Sequence, residues 1–246
     1  MVFGLLTAIA ACPAIIGTTE AVQQGQKANA REQHRGQKTN MMVKLPGANQ
    51  YSSKFDGALI VLNDNKLYIE HTDSCFPPDS TYPFSGYYLP YPRNQSRWKA
   101  AGWKGEGLVT AINEQQMLNW VYVDAETHEV KYGTRVQAQH HHTGPWDCTK
   151  LNRRVIFEGW EGFVAVQEDA EKDLWALYFD KDDDGLTGQG KIGDVSTTGK
   201  RKRMLVVQLV RVEMEKTSYD AMEERQARLR TIAAKQKELE ENQLIE

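Results

Sequence analysis

From about Met41 to Met214 the apolar residues alternate with polar ones or gather in short runs bounded by turn formers, which is the signature of strands. Gly57–Leu62, the turn Asn63-Asp64-Asn65 and Lys66–Ile69 read as strand, turn, strand. Trp120–Val123, the polar stretch Asp124–Thr127 and Glu129–Tyr132 repeat that arrangement. Leu174–Phe179 begins it a third time, with Arg203–Val210 as its return strand after a long glycine-containing loop. Asp64, Asp124 and Asp180 thus take comparable hairpin positions, 60 and 56 residues apart. The last two hairpins share a further signature. Gly102-Trp103-Lys104-Gly105-Glu106-Gly107-Leu108-Val109 is echoed 57 residues later by Gly159-Trp160-Glu161-Gly162-Phe163-Val164. Tandem units of this size predict a mainly β, antiparallel repeat barrel, β-trefoil-like in its pseudo-threefold plan, with N- and C-terminal helices. A propeller fragment and a long meander barrel are the alternatives, and the first unit lacks the Gly-Trp pair.

The pattern changes at both ends, which divides the chain into an apolar segment and helical arm (1–40), a β-repeat domain (41–215) and a charged C-terminal helix (216–246). Residues 2–16 carry no charge, but the run is shorter than the ~20 residues of a spanning helix and Pro13 interrupts it. It admits three readings: a helix buried on the protein's own sheet, a membrane-contacting anchor, or a secretory signal. The cations Lys27, Arg31, Arg35, Lys38 and Lys44 that follow suit an anionic membrane surface, whereas no basic residue precedes the run as a signal requires. The expected location is cytoplasmic or membrane-associated, with secretion as the alternative. Thr18-Thr19-Glu20 can cap a polar helix running towards Arg35. From Thr217 the sequence is helix-forming, but Met222, Leu229, Ile232 and Leu239 make a stripe too thin for a self-sufficient helix. It reads as a solvated helix docked on an edge, with a coiled-coil zipper as the rival.

Composition narrows the field. Of the 246 residues 40% are hydrophobic, 26% charged and 9% aromatic, and the formal net charge is −3. Such a balance gives no reason to expect a nucleic-acid partner. The partners it leaves are a protein or membrane surface, or a carbohydrate. Cys12, Cys75 and Cys148 are too few for a disulfide framework, and free thiols are expected over a Cys75–Cys148 bridge.

Several segments are similar to those of a filamentous-fungal family without an assigned activity. They are Lys27–Gly36, Phe84–Pro90, Gly159–Phe163 and Trp175–Asp180. The resemblance covers most of the chain. Some members of that family carry a ricin-B-lectin-like label, which implies a three-unit β domain and a binding role; the Gln-x-Trp repeat of such lectins is absent from this sequence.

Candidate chemistry is sparse. Asp180, Asp182 and Asp184, with Gly185 at the sixth position, match the start of a calcium loop, although Gly188 and Lys191 stand where its later ligands belong. Calcium is therefore the one cofactor suggested, against the plainer reading of a solvated acidic turn. A zinc set of His140, His142 and Cys148 can be drawn, without a second pair to close it. Lys200–Arg203 reads as an edge-protecting charge or a phosphate-binding tetrad. Asp147, Glu158 and Glu161 offer carboxylates for a hydrolase. Trp103, Trp120, Trp160 and Trp175 are the candidate ligand-binding residues. As repeat positions, Trp103 and Trp160 are most simply core; exposed, they would be stacking platforms for sugars. The chain reads as a non-enzymatic binding or scaffold module, with a carbohydrate-binding module as the alternative and a carboxylate-based hydrolase behind both.

Overall fold

The computed structural model describes residues 34–77, 80–104, 106–187 and 202–213. Among them are fourteen strands: β1 (Thr39–Lys44), β2 (Leu59–Asn63), β3 (Lys66–Glu70), β4 (Tyr82–Pro83), β5 (Ser85–Pro90), β6 (Glu106–Ala111), β7 (Leu118–Val123), β8 (Val130–Gly133), β9 (Trp146–Cys148), β10 (Val155–Phe157), β11 (Phe163–Asp169), β12 (Leu174–Phe179), β13 (Met204–Val206) and β14 (Gln208–Glu213). Three short helices interrupt them: α1 (Ser52–Phe55), α2 (Gln95–Ala100) and α3 (Arg135–Ala138). Of the helical ends expected at either terminus, the structure describes only the helical turn at 34–36; the rest, the apolar run 2–16 included, lies outside the described residues. Among those described, no helix is long and apolar enough to cross a membrane.

The expected hairpins form where the polar turns break the apolar runs. Asp64 and Asn65 join β2 to β3 with φ of 42° and 61°, the two-residue turn whose twist matches that of the flanking strands. Seven strands then close on themselves in the order β1-β2-β3-β8-β7-β6-β5 and back to β1. Every seam of this ring is antiparallel. An odd ring cannot keep long antiparallel seams throughout, because direction would have to reverse an odd number of times. The register accordingly shrinks to one residue pair at three seams, Met42 with Leu59, Thr39 with Gly86 and Lys66 with Lys131. Strands β11 and β12 extend the sheet from β3, and β14 pairs with β1.

One expectation on connectivity is corrected. Residues 203–210 are not the return strand of Leu174–Phe179. They split at Val207, which is buried, into β13 on β11 and β14 on β1, while β12 finds its partners in β11 and β3. The run Trp175–Phe179 is apolar throughout because β12 is buried on both faces. Phe179 and Leu177 face the main core, whereas Ala176 and Tyr178 join Val164, Val166 and Leu186 in a second cluster.

Aromatic rings fill the main core. Phe179 meets Phe157, Phe163 and Trp160 at centroid separations of 4.8, 5.2 and 5.4 Å, and Trp146 packs on Phe157 at 4.6 Å. Beside them lies a buried cationic layer. The Arg35 and Arg211 guanidinium groups pack on the Tyr88 ring at 4.3 and 4.5 Å. Arg35 is paired with Glu106 and Asp147, and Arg211 bonds Thr39 and the carbonyls of His34 and Gln37. Burial opposes the Arg35 charge, but the two carboxylates outweigh it and raise the pKa. The segment before β1 is therefore fastened to the barrel by charge-assisted bonds.

Replacing Phe179 by Ala empties the meeting point of three rings and is expected to cost about 3–5 kcal/mol. Urea denaturation measures it; a loss under about 1 kcal/mol would mean that the ring is not a principal core support.

Candidate functional site

The two Gly-Trp pairs give the site its geometry, and they do so by different backbone devices. In the first, α2 ends at Gly102, whose φ of +89° suits glycine. The Gly102 amide donates to the Lys99 carbonyl at 3.0 Å and the Trp103 amide to the Trp98 carbonyl at 2.9 Å, the two bonds of a Schellman cap. That cap swings Trp103 out beside Trp98. In the second, Phe157 and Trp160 exchange both backbone hydrogen bonds across Glu158 and Gly159, with φ of 48° and 98°. This is a two-residue turn of the same twist class as Asp64-Asn65. A Cβ on Gly159 would lie 2.6 Å from the Trp103 ring, so the first indole packs directly on the glycine of the second pair.

The result is a cleft of about 290 Å³ lined by Arg97, Trp98, Ala101, Trp103, Gly144, Pro145 and Glu158. It is close to the ~300 Å³ lower bound of small-molecule sites. Trp98 is 4% exposed and backs the cleft, whereas Trp103 keeps 37% of its surface open. Glu158 sits on the turn with its amide bonded to the Pro145 carbonyl at 2.9 Å. Its carboxylate lies 3.6 Å from Lys181 Nζ and 3.9 Å from His142 Nδ1. Burial, reinforced by Lys181, lowers the pKa of His142 and favours the neutral imidazole. Among the described residues no carboxylate pairs with Arg97. Sequence reasoning named Trp103 but missed Arg97, Trp98 and Pro145. The basic run from Arg93 to Lys104 was the available signal.

The other tryptophans serve the fold. Trp175 is 2% exposed, packs on Phe55 at 5.0 Å and donates its indole N–H to Asp173, so it cannot present a face to a ligand. Trp160 is half-buried on Phe179, and Trp120 is half-buried edge-on to Tyr91 at 4.8 Å. The expectation that Trp103 and Trp160 form core layers holds in part for Trp160 only. A second opening of about 410 Å³ lies between Tyr82, Tyr132 and the 112–115 turn.

The repeated aspartates are turn-builders. Asp124 Oδ1 accepts the amides of Glu126 and Thr127, and its Oδ2 accepts Lys131 at 2.9 Å. Asp180 likewise accepts the Asp184 and Gly185 amides, at 3.2 and 2.7 Å. Asp184 accepts the Thr187 amide at 3.3 Å. Each oxygen of Asp180 thus accepts an amide of the loop it was expected to supply with a cation ligand, and the structure does not bring Asp180, Asp182 and Asp184 together as a ligand set among the described residues. The grouping close enough to share an ion is instead His71, Asp73 and Asp173. There Lys54 already bonds Asp173, and His71 accepts the Asp73 amide on Nδ1 while its Nε2 faces the Asp173 carbonyl at 3.1 Å. A metal on Nε2 would force a proton onto Nδ1, against that amide.

The remaining candidates separate. Cys148 is buried beside His34 Nε2 at 3.5 Å, whereas His140 bonds Gln139 and His142 faces Lys181, so no zinc set assembles. Cys75 and Cys148 are free thiols. Each hydrolase carboxylate has its own cation, Arg35 for Asp147, Arg154 for Glu161 and Lys181 for Glu158. Of the basic tetrad, Lys200 and Arg201 lie outside the described residues.

A mainly β chain closed into an antiparallel barrel with hairpins attached is the architecture of a β-trefoil domain. The profile of the fungal beta-trefoil domain matches residues 17–215, and the chain belongs to that family. Comparison with curated proteins and with solved structures gives no match.

The Asp124 bonds carry a pH dependence. Burial alone would raise its pKa, but Lys131 and the Thr127 and Glu126 amides outweigh it and bring the value from 3.8 to about 2. Because the folded pKa is depressed, the stabilisation is complete above about pH 4 and is lost as pH falls towards 2, a total of about 2 kcal/mol. Asp124→Asn should flatten that part of the acid limb in urea titrations between pH 5 and 2; an unchanged limb would rule the bonds out as its source. Asp180→Ala, which strands two amides, should cost about 1–3 kcal/mol with or without calcium. A wild-type melting temperature that climbs with millimolar calcium, and a variant that no longer responds, would make the loop a cation site after all.

Proposed function

We propose that the chain is a carbohydrate-binding, lectin-like module that takes a saccharide in the Trp103 cleft. The observation that carries this reading is the exposure of Trp103. It is a large aromatic held open at 37% beside a concave surface, while Trp98, Trp146 and Trp175 are buried at 4%, 1% and 2%. An indole fixed on one side by Gly159 offers its other surface without losing side-chain freedom on binding. The apolar C–H face of a pyranose stacks on such a ring. Arg97 and Glu158 supply the donor and acceptor that fix the orientation of its hydroxyls. Among the described residues a single acid lines the cleft, which favours binding over hydrolysis, since glycosidases act with two carboxylates.

Trp103→Ala should retain the fold by circular dichroism and weaken saccharide binding by about tenfold or more, read by calorimetry. A glycan array that stays blank for the wild-type chain, with calcium and without it, would return the protein to the scaffold reading.

A further inference from the structure

Resting on that reading, we infer that the saccharide is anionic, and that Arg97 at the cleft wall receives its carboxylate or sulfate group. Three observations combine. Arg97 lines the cleft with no carboxylate paired to it among the described residues. Among the described residues the one acid lining the cleft, Glu158, lies within 3.6 Å of the Lys181 ammonium and is largely neutralised there. The charge left over in the cleft is the guanidinium.

The surrounding chain has the same sign. Between Arg93 and Glu106 the sequence carries Arg93, Arg97, Lys99 and Lys104 and no acid. All four are exposed. Glu106, the next acid along the chain, is turned onto the buried Arg35. The ligand therefore approaches through a positive rim to a planar, five-donor group suited to a bidentate anion. A neutral sugar offers the same arginine only hydroxyl acceptors, whereas a carboxylate or sulfate adds the attraction of opposite charges and can take two parallel N–H bonds. The adjoining indole keeps the ligand a sugar: a bare anion has no apolar face to set against Trp103. Uronic acids and sulfated sugars share the required chemistry.

Isothermal titration of the full chain tests the assignment with uronic-acid oligosaccharides, their methyl esters and sulfated monosaccharides. The esters keep the ring and lose the charge. The acid should bind about tenfold or more tightly than its ester, a preference that declines with salt. Arg97→Gln should abolish the preference, whereas Lys99→Gln, one helical position from the cleft wall, should leave most of it. Preference for uronate or for sulfate identifies which anion the arginine takes. Equal binding of acid, ester and sulfate, or a preference that survives Arg97→Gln, overturns the anionic assignment while leaving the carbohydrate reading in place. Binding of none of the sugars overturns the carbohydrate reading itself.

Discussion

The constraint on which the rest depends is closure of seven strands into one ring. Closure removes the open edges of β2, β3 and their neighbours and leaves an interior that must be filled by side chains. Phe163, Phe179, Val121, Ile69 and Ile60 are all within 1% of full burial, so no ligand can enter there. A ligand could therefore be met only on the outer surface, where the loops between strands meet. The short seams of the ring sharpen this. With β1 held to β2 and to β5 by single residue pairs, its position needs support from outside the ring. Arg211 supplies it by bonding Thr39, the residue with which β1 begins.

The cationic layer around Tyr88 shows what that support involves. Two buried guanidinium groups on one ring repel each other and are costly to desolvate. They are tolerated because Arg35 has two carboxylates and Arg211 accepts no solvent role, being spent on Thr39 and two backbone carbonyls. Burial and the neighbouring Cys148 push the Tyr88 hydroxyl well above the ordinary phenol range, so the ring stays neutral and its face remains available to both cations. The same arrangement withdraws Glu106 from the surface, which leaves the α2 segment positive. A core device thereby sets the charge of the cleft rim.

Much of the barrel was legible because strands and turns are written locally. The Asp64-Asn65 turn, the β7–β8 hairpin at Asp124 and the aromatic run of β12 each follow from residues within ten positions of one another. What could not be read is set by distant contacts. The pairing of β13 with β11 rather than β12 depends on how the sheet curls, not on Met204–Val206 itself. The Gly-Trp repeat also misleads in one respect, since a helix cap and a hairpin turn can both demand glycine before an aromatic residue. Which indole is buried depends on what reaches it: Phe179 meets Trp160, whereas Trp103 lies over the bare backbone of Gly159. Arg97 was invisible because an exposed arginine on a short helix is unremarkable until the turn at Glu158 is brought opposite.

On the carbohydrate reading, the cleft divides its work between a fixed group and an exposed one. Trp103 is fixed by the Schellman cap at Gly102 and by contact with Gly159, so its stacking surface is preorganised. That contribution varies little from one pyranose to another, since most offer a comparable C–H face. Arg97 is exposed, and its side chain loses freedom only when a ligand engages it. A bond that must first overcome this entropy is worthwhile for an anion and nearly neutral for a hydroxyl. In the proposed complex, stacking would supply affinity without much choice, and the arginine would supply the choice. Specificity would then rest on a residue outside the repeat, while the repeat itself provides the platform.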